Sequence, residues 1–161
     1  MDFKSIYVAS PFGFFEAGRD FMYSKIIPSI ESAGYKVLDP WNLTSQDLID
    51  SALSAPYGLE RKKAWEKINP VIGKNNACAI KECSGLVAVL DGTDVDSGTA
   101  SEIGYAAALG KKILGYRNDF RLSCDNDGSA VNLQVEYFIK INGGKIVSNI
   151  EELKKELKGF F

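Results

Sequence analysis

The chain has 161 residues, a net charge of −2 and 45% hydrophobic residues, the profile of one globular domain over residues 1–161 with a core of its own. No Lys/Arg cluster stands out beyond the short run Arg61-Lys62-Lys63, and no apolar run is long enough to span a bilayer, so neither a nucleic acid nor a membrane is expected as a partner. Histidine is absent, which excludes Ser-His-Asp and Cys-His catalysis and His-containing zinc sites and leaves acid–base work to carboxylates, tyrosines and backbone groups.

In chain order, Met1-Asp2-Phe3-Lys4 leads straight into an apolar strand with no small-residue cleavage site, so a cytoplasmic protein is expected. Ile6–Ala9 reads as a buried strand followed by a turn at Ser10-Pro11-Phe12-Gly13. Residues 18–33 read as a helix, with Gly34 just past its end and Pro28 marking a kink or a later start. Lys36-Val37-Leu38 is a second strand, stopped by Asp39-Pro40-Trp41. Residues 44–81 read as polar helix and loop, broken into pieces at Pro56, Gly58, Pro70 and Gly73. Gly85–Leu90 is a continuous apolar run, the pattern of a strand covered on both faces. A helix over about 98–109, a strand at Lys112–Gly115, a helix over 129–141 and a strand at Lys145–Val147 follow. Ser148 and Glu151 have capping-box spacing for a last helix to about Lys158. Cys78, Cys83 and Cys124 have neither disulfide-framework nor zinc spacing and read as reduced thiols.

Alternating strands and helices define an α/β domain with a parallel sheet, and ligands bind such sheets beyond the carboxyl ends of the strands. That rule selects the loops Ser10–Gly18, Asp39–Leu43 and Asp91–Ser97. The helix after the third loop is small and apolar nearly all round, and Glu102 is its only charged residue. A carboxylate in such a helix needs a partner, a raised pKa or a pocket that reaches solvent. Asp91 at a strand end, Asp96 before the helix and Glu102 within it suit a carboxylate site, in which one acid attacks an anomeric carbon while its neighbours assist. Asp96 alone would also serve as a helix N-cap, and Asp94 reads as a solvated loop residue. The calcium-loop spacing fails, and no metal site is expected. Phe12, nearest the strand end in the aromatic run Phe12-Gly13-Phe14-Phe15, is the first candidate to stack on a planar ligand.

The segment Asp96-Ser97-Gly98-Thr99-Ala100-Ser101-Glu102-Ile103-Gly104-Tyr105-Ala106 resembles the signature of the nucleoside 2-deoxyribosyltransferases. Ile6–Phe12 resembles that family's first strand and loop, and Val131–Tyr137 its later helix. The resemblance implies a flavodoxin-like fold and a ping-pong exchange of bases on 2′-deoxynucleosides without a cofactor, with free nucleobases as the second substrate. By the same resemblance Glu102 is the nucleophile that forms a deoxyribosyl ester, and Tyr7 positions it. Asp96 belongs to the sugar-and-base pocket, with Ser10, Phe12, Asp91 and Gly98 as candidate substrate contacts. Asn132 would reach the site from a neighbouring subunit of a homo-oligomer. Family members carry an aspartate near the position of Asn76, where an amide can hydrogen-bond a base but cannot act as an acid. Some lend a C-terminal tyrosine carboxylate, whereas this chain ends in Phe160-Phe161.

Two other functions compete. A hydrolase acting on 2′-deoxynucleoside 5′-monophosphates needs a phosphate pocket, and the apolar loop after the first strand offers only Ser10 and Arg19. A non-catalytic nucleotide-binding domain leaves the isolated Glu102 unexplained.

Overall fold

A computed structural model describes residues 4–122 and 124–161. Met1–Phe3, read above as the lead into the first strand, lie outside the described residues. Five strands, β1 (Ser5–Ala9), β2 (Lys36–Leu38), β3 (Gly85–Val89), β4 (Lys112–Tyr116) and β5 (Lys145–Val147), form one sheet. All pairings are parallel and the order is β2-β1-β3-β4-β5. This is the flavodoxin-like order, and the direction of winding switches between β1 and β3. The chain is thus a single α/β domain, as the alternation of elements predicts.

Side-chain alternation divides the sheet residues between two layers. Ile6, Val8, Val87, Val89, Leu114 and Tyr116 face one layer, packed on Met22, Ile26, Ile30, Leu153 and Leu157. Tyr7, Ala9, Leu86, Ala88, Leu90 and Ile113 face the other, packed on Ile80, Ile103, Ala106, Val135 and Ile139. Burial of each such Leu, Ile or Val contributes roughly 1.5–3 kcal/mol. β3, central in the sheet, is buried at every position, which is why its sequence is a continuous apolar run rather than an alternating one. Among the described residues, no helix is long and apolar enough to cross a membrane.

The helices depart from expectation in ways that prolines and caps explain. The first helical region begins earlier than residue 18 and is continuous: α1 (Glu16–Phe21), a π turn (Met22–Ile26) and α2 (Ile27–Ser32). The π turn closes with the Ile27 N–H on the Met22 carbonyl, so Pro28, which has no N–H, falls where the bonding pattern is already shifting. The stretch 44–81 is broken at Pro56 and Gly58 as expected, but not at Pro70 or Gly73. After α3 (Gln46–Leu53), a single helix α4 runs from Leu59 to Glu82 with Pro70 inside it. Pro70 leaves the Glu66 carbonyl without its helix partner, but both residues are exposed, so water can take its place.

α5 (Ser97–Ala108) matches the expected helix, whereas α6 (Leu133–Lys140) starts later than 129. Asn132 stops the backward extension by accepting from the Gln134 and Val135 N–H groups. α7 (Ile150–Leu157) is capped one residue later than the expected box. Asn149 accepts from the Glu152 N–H, and the Glu152 carboxylate takes the Ser148 N–H and hydroxyl.

Candidate active site

Beyond the carboxyl ends of β1 and β3 lies a cavity of about 510 Å³, within the size range of small-molecule sites. Its floor is built by the first turns of α5. Asp96 is the N-cap of that helix, and its Oδ2 accepts from the Thr99 N–H at 2.9 Å. Gly98 leaves the helix entrance uncovered, since a Cβ there would stand 3.0 Å from the Asp96 Oδ2. Glu102 follows in the second turn and faces the cavity together with Asp96, Gly98 and Thr99.

Tyr7 sits on β1 with its side chain in the same layer as α5, fully buried. Its hydroxyl donates to the Glu102 Oε1 at 2.6 Å. Burial pushes the Glu102 carboxyl up to about 7, the Tyr7 hydrogen bond pulls it back, and the charge of Asp96 pushes it up again. Burial first, and then the charge of Glu102, raise Tyr7 itself, so it remains a phenol able to donate. The pair leaves one carboxylate oxygen committed to Tyr7 and the group as a whole poised between its two protonation states near neutral pH.

The walls come from elements with weaker sequence signals. Ser10 lines the cavity while its hydroxyl oxygen accepts from the Phe12 N–H. Phe14 and Trp41 meet edge to face, centroids 4.8 Å apart, and Trp65 and Ile72 from α4 complete an aromatic and aliphatic surface. Asn76, also on α4, lines the cavity, and its Oδ1 is buried with no hydrogen-bond partner among the described residues. A buried amide oxygen left so is costly unless a bound molecule alters its surroundings. Among the described residues, no lysine or arginine lines the cavity.

The structure thus brings Tyr7, Ser10, Asn76, Asp96, Gly98 and Glu102 to one site and leaves three candidates outside it. Phe12 is not in the cavity. Its ring is buried in the opposite core layer, edge-on to Phe15 and Phe21, because the turn after β1 directs it under the sheet. Asp91 instead accepts from the Asn118 and Asp119 N–H groups and ties the β3 and β4 loops together. Asn132 caps α6 and does not line its own chain's cavity. Asp94 is exposed and bonds the adjacent Val95 N–H, as read. Phe160 and Phe161 lie at the opposite end of the sheet. The Phe161 ring packs on Gly85 at the start of β3, and Lys4 and Lys112 donate to the two residues' carbonyls, so they are remote from this chain's own cavity. Of the aromatic run after β1 it is Phe14, not Phe12, that lines the cavity, and Trp41 and Trp65 line it without having been singled out by the sequence, where two tryptophans in otherwise polar stretches are the available signal. Among the described residues, no group of three or more His, Cys, Asp or Glu side chains could hold a metal ion.

A doubly wound parallel sheet with a half-buried carboxylate hydrogen-bonded to a buried tyrosine, in a cavity at its switch point, defines an α/β protein with a small-molecule site where such sheets bind their ligands. The family model for nucleoside 2-deoxyribosyltransferases matches residues 6–134, and the chain belongs to that family. Membership supports an enzyme acting on nucleosides. No curated protein matches the chain in sequence. Among solved structures, it resembles a conserved protein from Enterococcus faecalis at 25% identity, covering 99% of this chain and 100% of that one with a TM-score of 0.71. It also resembles a 2-deoxyribosyltransferase from Leishmania mexicana at 23% identity, covering 98% and 99% with a TM-score of 0.67. The fold is shared as well with a CMP N-glycosidase from Clostridium botulinum at 22% identity, covering 96% and 98% with a TM-score of 0.56.

Proposed function

We propose that the chain is a nucleoside 2-deoxyribosyltransferase of the cytoplasm, exchanging the base of 2′-deoxynucleosides through a covalent 2-deoxyribosyl ester on Glu102. The observation that carries this reading is the Tyr7–Glu102 pair on the floor of a cavity walled by Phe14, Trp41 and Trp65. The sugar sits over the carboxylate and the base lies along the aromatic wall, with Ser10, Gly98, Asp96 and the Asn76 amide as polar contacts. As the glycosidic bond opens, positive charge develops at C1′ and the Glu102 carboxylate stabilises it, then bonds to it. The bonding pair leaves with the base, which takes up one proton. An incoming base attacks C1′ with a ring nitrogen, releases the carboxylate and gives up one proton, so the exchange balances. Tyr7 holds one carboxylate oxygen and leaves the other for C1′. No cofactor takes part.

A homo-oligomer with Asn132 donated across subunits is part of the proposal. Its support is an exposed apolar face made by Tyr105 and Leu109 on and just after α5 with Leu133, Tyr137 and Ile141 on and just after α6. Asn132 stands at the start of that face.

The fold shared with a CMP N-glycosidase favours hydrolysis as a second reading, in which water replaces the incoming base. A cavity without lysine or arginine among the described residues that line it, and the hydrogen bond of Arg19 to the Gly13 carbonyl, argue against a monophosphate substrate. Chromatography after incubation with deoxyinosine, with and without adenine, tests all of these. Deoxyadenosine formed only with adenine is expected. Free deoxyribose and hypoxanthine without adenine would identify a hydrolase, and an unchanged trace in both would overturn the enzymatic reading.

A further inference from the structure

Trp41 is held from two sides, its ring over Gly13 and its backbone on Asp39, and both restraints lead back to one helix face. Beneath the ring lies Gly13, where a Cβ would stand 1.9 Å from the Trp41 Cε2 and 2.2 Å from its Nε1. Only a residue without a side chain lets the indole sit there. The Gly13 carbonyl accepts from the Arg19 Nη1 at 3.2 Å. At the backbone, the Trp41 main-chain N–H donates to the Asp39 Oδ1 at 3.1 Å, and the Asp39 Oδ2 accepts from the Tyr23 hydroxyl and the Asn42 Nδ2, both at 2.8 Å.

Asp39 is only 6% exposed, and among the described residues it forms no ion pair. A buried carboxylate held by neutral donors alone is a costly way to build a turn. It is effective at fixing geometry, because a carboxylate accepts several strong, directional bonds at once. Tyr23 lies within the π turn, a rare local geometry that recurs at functional sites. Arg19 and Tyr23 are four residues apart, the spacing of neighbours on one helix face.

We propose that Arg19 and Tyr23 are positioning residues that clamp the loops on either side of Trp41, Arg19 through Gly13 and Tyr23 through Asp39, and so hold the indole as the stacking surface for the nucleobase. The inference rests on the cavity being a nucleoside site. Neither residue touches substrate. Each acts through the orientation of one aromatic ring, and that dependence is what separates this role from general structural support.

The test is a double-mutant cycle read by binding. In a Glu102→Gln background, which cannot turn over, the Kd for deoxyadenosine and for thymidine is measured by calorimetry. Tyr23→Phe removes one hydrogen bond and is expected to weaken binding about fivefold, and Gly13→Ala, which displaces the ring, about tenfold or more. In a Trp41→Ala background both substitutions should have no further effect. The second readout needs no ligand. With Trp65→Phe, the remaining tryptophan fluorescence reports Trp41, and Tyr23→Phe should lower its anisotropy. Equal losses of affinity in the presence and absence of Trp41, or an anisotropy unchanged by Tyr23→Phe, would overturn the clamp. Failure of the Glu102→Gln parent to bind any nucleoside would overturn the nucleoside reading and the stacking role with it, while the anisotropy still reports on the clamp separately.

Discussion

Titration of Glu102 should appear twice, in the rate and in the stability, with opposite senses. Burial holds its carboxyl at about 7 against an ordinary 4.5. In the proposed exchange the nucleophile is the ionised form, so about 1% of the sites would be competent at pH 5, about half at pH 7 and about 90% at pH 8. The kcat/KM for base exchange should therefore rise about tenfold per pH unit below 6.5 and level off above 7.5. Stability runs the other way. A raised carboxyl pKa means that the folded chain binds the proton more tightly than the unfolded one, so stability falls as pH rises from 4.5 to about 7. At 1.36 kcal/mol per unit this amounts to roughly 3 kcal/mol, an upper figure because the carboxyl is only partly buried. The assay is urea unfolding of the wild type and of Glu102→Gln from pH 4.5 to 8, with exchange rates measured on the wild type over the same range. The amide keeps an acceptor for Tyr7 but cannot titrate, so the variant should gain on the wild type steadily between pH 5 and 7.5 and hold that gain above. Parallel stability curves would refute the raised pKa. A pH-independent rate would refute the carboxylate as nucleophile.

Three further outcomes are expected. Glu102→Ala should remain folded and lose nearly all turnover, and a 2-fluoro-arabinosyl nucleoside should label the wild type within residues 97–110; peptide mapping that places the sugar on Asp96 would assign the nucleophile elsewhere. Tyr7→Phe should slow exchange about tenfold and move the midpoint of the pH–rate profile upward, since its hydrogen bond favours the ionised carboxylate; an unmoved midpoint counts against the 2.6 Å contact. Asn132→Ala should cost about 1 kcal/mol through loss of the α6 cap. If the site is shared, refolding it with Glu102→Ala should restore activity in about a quarter of sites of a random two-fold dimer; with Asn132→Ala inactive alone, silence from proven mixed oligomers would show that both residues act from one chain and refute the shared site.

Legibility of the site followed locality. Asp96, Gly98 and Glu102 lie within seven residues on one helix start, and a lone acid in an apolar helix is visible without coordinates. Phe12 and Asp91 were misplaced for a common reason. Each stands next to a strand end, and proximity along the chain does not say which side of the sheet a turn directs a side chain to. Phe14, two residues after Phe12, is the one that reaches the cavity. The stretch 44–81 was hardest to read because Pro70 and Gly73 weaken the helical signal, and the tertiary role of α4, which brings Trp65 and Asn76 over the site, is not encoded in local propensity.

Sequence by itself determined the parallel α/β class, the strands and the helix that carries Glu102, because these depend on hydrophobic periodicity and on caps that act within a few residues. Tertiary structure alone decided the 2.6 Å geometry at which Tyr7 meets Glu102 across 95 positions of chain, the tying of Asp91 to the Asn118 and Asp119 N–H groups, and the locking of Trp41 over Gly13. Those contacts join segments with no local constraint between them, so only the packing of both helical layers on the sheet could bring them together.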